Sequence, residues 1–334
     1  MVAKLGSEFQ VNTYTLSTQD RPAIAVDGNN GNFIITWVSL NQDGDDFGIY
    51  AQRFDNTGTP LGSEFRVNTY TTTEQDSPHI VADAVGNFII TWTNRDQDGN
   101  TFEINAQRYD NTGTPVGSEF RVNTYTDNNQ SNSAIAINPA NGNFIITWNS
   151  DGQDGSLDGI YAQRFDVSGT PLGLEFPVNT YTTNTQNFPR IAAGNGNFLI
   201  TWNSYNQDGD NFGIYGQLYD VTGTPLGSEF QVNTYTNDIQ FRPDIASDSN
   251  GNFITTWQSL GQDGSSFGIY AQRYDNPVSP SPKPKALPKS PKAVAPPTPT
   301  PSLSILFPWN PSRLQSPAMH KFRSVRMAIA LLQC

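Results

Sequence analysis

The sequence predicts an all-β fold: a five-bladed β-propeller of four-stranded antiparallel blades, its ring closed by a strand near the N-terminus, followed by a disordered C-terminal tail. Three observations carry this expectation. A Thr-Trp dipeptide closes an apolar run at Trp37, Trp92, Trp148, Trp202 and Trp257, at spacings of 55, 56, 54 and 55 residues. Each copy of the repeat divides into four short segments rich in β-branched and aromatic residues. A lone fourth segment, Glu8 to Tyr14, precedes the first copy, and the last copy, ending near Asp275, lacks its own.

The segments follow in a fixed order. The first is short, as in Ala23 to Asp27, and the second, Asn32 to Trp37, is apolar on both faces, as in a strand covered on both sides. The third runs from Phe47 to Asp55 and the fourth from Glu64 to Tyr70. Gly-Asn turns such as that at Gly31 join the first two segments, supplying the positive φ of a tight hairpin. Gln-Asp-Gly turns join the second and third, and Asn-Thr-Gly-Thr-Pro turns the third and fourth. A longer loop with Gln, such as Thr71 to Pro78, links successive repeats. The orphan strand at the start can complete the orphan blade at the end and leave no open edge. The rival is a piece of a longer open array, in which that phase is a coincidence of boundaries.

Charge divides the chain at the same place as the pattern. Residues 277–334 hold eight cations and no Asp or Glu, so against an overall net charge of −12 the first 276 residues carry −20. An acidic body repels phosphate backbones, which argues against nucleic acid as a partner and for a monomer. The tail opens with frequent Pro and scattered Lys, a composition that stays extended and solvated. It reads as a linker to a further partner or as out-of-frame translation. The domain division is therefore 1–276 for the propeller and 277–334 for the tail. Cys334 is the only cysteine, which excludes an internal disulfide. No apolar run reaches the length of a membrane span, and MVAKLGSEFQ shows no signal-peptide core.

Candidate chemistry is sparse. His79 and His320 are the only histidines, and neither a nucleophile elbow nor a phosphate-binding loop occurs. Glu8, Glu64, Glu119, Glu175 and Glu229 share one repeat position, and Asp55, Asp110, Asp166, Asp220 and Asp275 another. Equivalent carboxylates in separate blades lack the asymmetry of an acid–base pair, so they read as structural and the chain as non-enzymatic.

The binding candidates lie on one rim. There the second-to-third-strand loops place Trp37, Gln42 and Asp43, Trp92, Gln97 and Asp98, Trp148, Gln153 and Asp154, Trp202, Gln207 and Asp208, and Trp257, Gln262 and Asp263. The inter-blade loops bring Gln19, Gln75, Gln130, Gln186 and Gln240 to the same rim. Trp faces stack on sugar rings while Gln and Asp take hydroxyls; the alternative for Trp is core packing. Asp43, Asp45, Asp208 and Asp210 are weak calcium candidates, against a plain turn role for Asp-Gly. No other cofactor is implied.

The pattern GNFIITWxSxxQDGxxxGIYAQRFDxxGTPLGSEFxVNTYT, covering residues 6–275, resembles repeat modules of large bacterial surface and secreted proteins. That resemblance implies a propeller-like fold and an extracellular or cell-surface setting, and no defined activity. Such proteins often carry calcium-binding nonapeptide repeats, which this chain lacks. A weaker similarity is to sialidase-type blades, whose catalytic Arg cluster is not identifiable here, and to lectin blades that bind one sugar each. The expectation is a multivalent, lectin-like module for glycans, where equal weak sites gain avidity. Its alternatives are a structural or adhesive module that binds a surface protein and, behind both, a glycosidase.

Overall fold

Nineteen strands follow one another in a computed structural model that describes residues 4–95 and 101–275. The first blade comprises β1 (Gln19–Val26), β2 (Phe33–Leu40), β3 (Phe47–Phe54) and β4 (Phe65–Arg66). The second comprises β5 (Gln75–Ala82), β6 (Phe88–Arg95), β7 (Phe102–Tyr109) and β8 (Phe120–Arg121). The third holds β9 (Gln130–Ile137), β10 (Phe144–Asp151), β11 (Asp158–Phe165) and β12 (Phe176–Pro177). The fourth holds β13 (Gln186–Gly194), β14 (Asn197–Tyr205), β15 (Phe212–Asp220) and β16 (Phe230–Gln231). β17 (Gln240–Ser247), β18 (Phe253–Leu260) and β19 (Phe267–Tyr274) make the fifth. Every pairing is antiparallel between chain neighbours, as expected of propeller blades.

The inner strands are longer than the sequence suggests. Each begins three to four residues before the apolar run and passes through a bulge, as between Asp20 and Ala23. Pro22, Pro78, Pro189 and Pro243 sit at these bulges, where a residue without an N–H leaves no ladder bond broken. The fourth strands are shorter than expected. Beyond Arg66 the chain leaves the sheet after one more bond, from the Val67 amide to the Ile49 carbonyl at 2.8 Å. Asn68 then takes over with its side chain: its Oδ1 accepts the Ile49 amide at 2.8 Å. The same arrangement serves Asn123, Asn179 and Asn233. The outer turns are held by a carboxylate, since Asp55 Oδ1 accepts from the Thr57 and Thr59 amides and the Thr57 hydroxyl.

The apolar core lies between blades. Trp92 packs with Ile49 and Ala51 of the preceding blade, Trp148 with Ile104 and Ala106, Trp202 with Ile160 and Ala162, and Trp257 with Ile214. Ring pairs repeat this join: Phe65 on Tyr109, Phe120 on Phe165, Phe176 on Tyr219 and Phe230 on Tyr274, at centroid separations of 5.4 to 5.6 Å.

One element of the expected architecture is corrected. The fifth sheet has three strands, and residues 8–14 form no ladder with β19. They lie instead against the first blade, with Phe9 on Phe54 at 5.3 Å and the Thr13 amide on Glu64 Oε2 at 2.6 Å. These contacts hold the segment where it is, and the first and fifth blades are not packed together: Ile24 and Ile269 stay 60% and 73% exposed. The tail, 277–334, lies outside the described residues, as does its expected disorder. Among the described residues no helix is long and apolar enough to cross a membrane.

Candidate axial site

The residues in which the five copies differ most are those of the inner strands. The position before the bulge reads Asp20, Asp76, Ser131, Asn187 and Phe241, and the next reads Arg21, Ser77, Asn132, Phe188 and Arg242. Two residues on, the series is Ala23, His79, Ala134, Arg190 and Asp244. Arg21, Ser77, Asn132, Phe188 and Arg242 all take positive φ, between 49° and 56°, which side chains seldom adopt. The third, fourth and fifth are anchored to the preceding blade. Asn132 donates its amide to Thr93 Oγ1, Phe188 to Asn149 Oδ1 and Arg242 to Asn203 Oδ1, at 3.0 to 3.3 Å.

Successive inner strands pack side by side, so these varied side chains converge. Arg21 pairs with Asp76 of the next blade. His79 keeps partial solvent contact, yet burial pushes its imidazole down to about 3, and the Arg190 charge two blades away adds to that shift. It is therefore neutral across the ordinary pH range. Burial also lowers Arg190, and the carboxylate of Asp244 opposes that effect. Asp244 itself is exposed. The inner strands thus present a neutral imidazole, a guanidinium and an accessible carboxylate.

Beside them is an aromatic cluster with no counterpart among the described residues of the other blades. Phe188 meets Phe241 edge-on at 5.3 Å, Phe241 meets Phe212 at 5.4 Å, and Phe212 meets Tyr205 at 5.0 Å. Tyr205 is exposed, and the Arg242 guanidinium lies 5.8 Å from the Phe241 ring centre.

The rim residues singled out from the sequence are placed differently. Trp37, Trp92, Trp148, Trp202 and Trp257 are 0 to 6% exposed, so their faces belong to the core. Gln42, Gln153 and Gln207 donate to Glu64, Glu175 and Glu229 at 2.6 to 2.7 Å, and Asn105 does so for Glu119. Each glutamate reaches across with its other oxygen: Glu64 to Thr13 of the segment before the first blade, and Glu175, Glu229 and Glu119 to Thr124, Thr180 and Thr69 of the preceding blade. The five carboxylates read as structural are thus blade clamps in four cases. Gln19, Gln75, Gln130, Gln186 and Gln240 organise the inter-blade loops: Gln75 accepts from Asn68 at 2.9 Å and donates to the carbonyls of Thr72 and Thr73. Its counterparts meet Asn12, Asn123, Asn179 and Asn233 alike.

Asp43, Asp154, Asp208 and Asp263 stand over the glycine that is second in the next strand. A Cβ at Gly48 would lie 2.6 Å from Asp43 Oδ2, and the gaps at Gly159, Gly213 and Gly268 are 2.7 to 2.9 Å. Asp45 and Asp210 accept the amides of Thr73 and Asp238. Among the described residues no three His, Cys, Asp or Glu side chains gather to hold a metal ion. Gln97 and Asp98 lie outside the described residues.

No family model and no curated protein matches this chain. Solved structures do. A protein of unknown function from Dyadobacter fermentans is similar over 79% of this chain and 78% of its own, with a TM-score of 0.57 and 11% identity. A GH43 endo-arabinanase from Bacillus licheniformis is similar over 76% of this chain and 92% of its own (TM-score 0.43, 15% identity). An endo-arabinase from Bacteroides thetaiotaomicron is similar over 78% and 94% (TM-score 0.45, 13% identity). These likenesses concern the fold alone, and that fold is a β-propeller. The functional expectation is corrected by the chain's own residues. The rim Trp and Gln side chains are taken up in the core and in bonds between neighbouring segments, and repeated blades do not by themselves mark a non-enzymatic, lectin-like or adhesive module. The equal glutamates are the clamps, and the unequal residues lie on the inner strands.

Proposed function

We propose that the chain is a carbohydrate-active enzyme of the glycoside-hydrolase type, with its reaction centre on the inner strands. The observation that carries this reading is the convergence of unequal residues on the inner strands, in a molecule otherwise built of equal ones. Hydrolysis of a glycosidic bond needs two carboxyl groups about 5–10 Å apart in different surroundings. The inner strands supply Asp20, Asp76 and Asp244, of which Asp76 is engaged by Arg21. Asp244, beside the Arg190 charge, is the candidate base that takes a proton from the attacking water. Asp20 is the candidate acid that protonates the departing sugar oxygen. The Phe188–Phe241–Phe212–Tyr205 cluster gives sugar rings an apolar surface to stack on, and Arg242 and His79 offer hydrogen bonds to hydroxyls. An extracellular or cell-surface polysaccharide is the substrate that fits the setting implied by the repeat pattern.

The test is release of reducing sugar from a panel of polysaccharides, arabinans among them, and turnover of aryl glycosides. The expected result is turnover of at least one substrate, with Asp244→Asn and Asp20→Asn each lowering kcat by about 10²-fold or more. Absence of turnover across the panel, or full activity in both variants, overturns the proposal.

A further inference from the structure

The last blade and the segment before the first blade are two halves of one unmade join. In the first four blades, the amide of Ile49, Ile104, Ile160 or Ile214 donates to an asparagine of its fourth segment, and each of these isoleucines is 0% exposed. The fifth, Ile269, has no such asparagine and is 73% exposed. Gln52, Gln107, Gln163 and Gln217 each reach a glycine carbonyl of the fourth segment; among the described residues Gln272 bonds only the Arg273 carbonyl. Gln262 finds no glutamate of the kind that Gln42 and Gln207 hold.

Residues 6–14 carry every missing partner. Their sequence, GSEFQVNTY, is that of a fourth segment. They already occupy a fourth segment's place against the next blade: Phe9 lies on Phe54 as Phe65 lies on Tyr109, and Thr13 meets Glu64 as Thr69 meets Glu119. Yet Glu8 accepts no hydrogen bond among the described residues, and Asn12 uses its Nδ2 but not its Oδ1. Ile24 and Val26, on the first blade's side, are 60% and 57% exposed, whereas Ile135 and Ile191 at the position of Ile24 are 8% exposed.

We propose that the edge of β19 and the adjoining face of the fifth blade bind a second copy of this chain, whose residues 6–14 become the fourth strand. The chain's own segment is held on its first blade, which does not pack on the fifth, so it does not reach β19 in this arrangement. A second copy brings the segment and the bare face of its first blade together, and the contact repeats the four inter-blade joins within the chain. The contact is head-to-tail, so it extends from copy to copy unless the rotation closes. The acidic bodies repel one another, so salt strengthens the association.

The experiment uses the full chain. In the four complete blades Tyr50, Asn105, Tyr161 and Tyr215 oppose Arg66, Arg121, Pro177 and Gln231, so Gln10 of one copy is to oppose Tyr270 of another. Asn105 shows that this site tolerates a smaller side chain. Gln10→Cys and Tyr270→Cys, combined with Cys334→Ser, are expected to give reducible dimers and larger species on oxidation. In parallel, sedimentation of the native chain is expected to show mass growing with concentration and with salt. Ile269→Lys is expected to raise the concentration of half-association about tenfold or more, with the far-ultraviolet dichroism and Tm unchanged because that side chain is exposed in the single copy. A cross-link formed only within one chain, or one chain's mass at every concentration and salt level, overturns the proposal.

Discussion

At the scale of single residues, the most telling positions are those where one copy departs from the other four. Phe47, Phe102, Phe212 and Phe267 open the third strands of their blades; the third blade has Asp158 there. Burial, and the nearby charges of Asp151 and Asp154, push the Asp158 carboxyl up to about 6. A carboxyl raised on folding binds its proton more tightly in the native state, so its burden on stability is absent at low pH and grows as pH rises from about 4 to about 6. Asp158→Phe restores the residue of the sister blades. It is expected to stabilise the fold by about 1 kcal/mol at pH 7, and by less at pH 4. Thermal melts of both proteins at the two pH values check this, and equal gains at both would refute the electrostatic cause. The candidate site residues were visible in the same way. His79, Arg190 and Asp244 stand where other copies have alanine, a contrast available from an alignment of the repeats with each other. That signal is faint, because the first segment of each copy is short, is interrupted by proline, and resembles a loop.

At the scale of elements, the blades join through a small set of repeated devices: the indole in its apolar socket, the glutamate clamp, and an arginine on the third strand. Arg53, Arg108 and Arg164 each donate to carbonyls in the outer turn of the next blade, closing over Gly113, Gly169 and Gly223. Glu175 shows what a clamp contributes. It accepts the Thr124 amide at 2.6 Å, the Tyr125 amide at 3.3 Å and the Gln153 amide group at 2.7 Å. Glu175→Ala leaves those donors without a partner and is expected to cost about 1–3 kcal/mol in urea unfolding, with Glu175→Gln costing less. A loss below about 0.3 kcal/mol would make the clamp a bystander. Strand order and the turns followed from residue patterns, since period-two apolar runs and Asn-Gly or Asp-Gly pairs have local causes. The clamp did not. Glu64 and Thr13 are 51 residues apart, and no local rule links them.

At the scale of the whole molecule, four nearly equal spacings revealed five blades, while the closure of the ring depended on a pairing between distant segments that the chain leaves unmade. The inter-blade sockets have an optical consequence. Trp37, Trp92, Trp148, Trp202 and Trp257 all bury an indole N–H that meets no acceptor among the described residues. Five fluorophores of this kind share buried surroundings, so their combined emission is expected to be blue-shifted and to move to longer wavelength as unfolding exposes them to water. Trp309 follows the last blade in the sequence, and Trp309→Phe removes its contribution from the record. If the blades melt as one unit, emission and far-ultraviolet dichroism trace one coincident urea transition; a biphasic emission curve would mean that the blades melt in succession. The molecule thus carries its own gauge of cooperativity, with one needle at each of its four joins and a fifth on the face of the first blade.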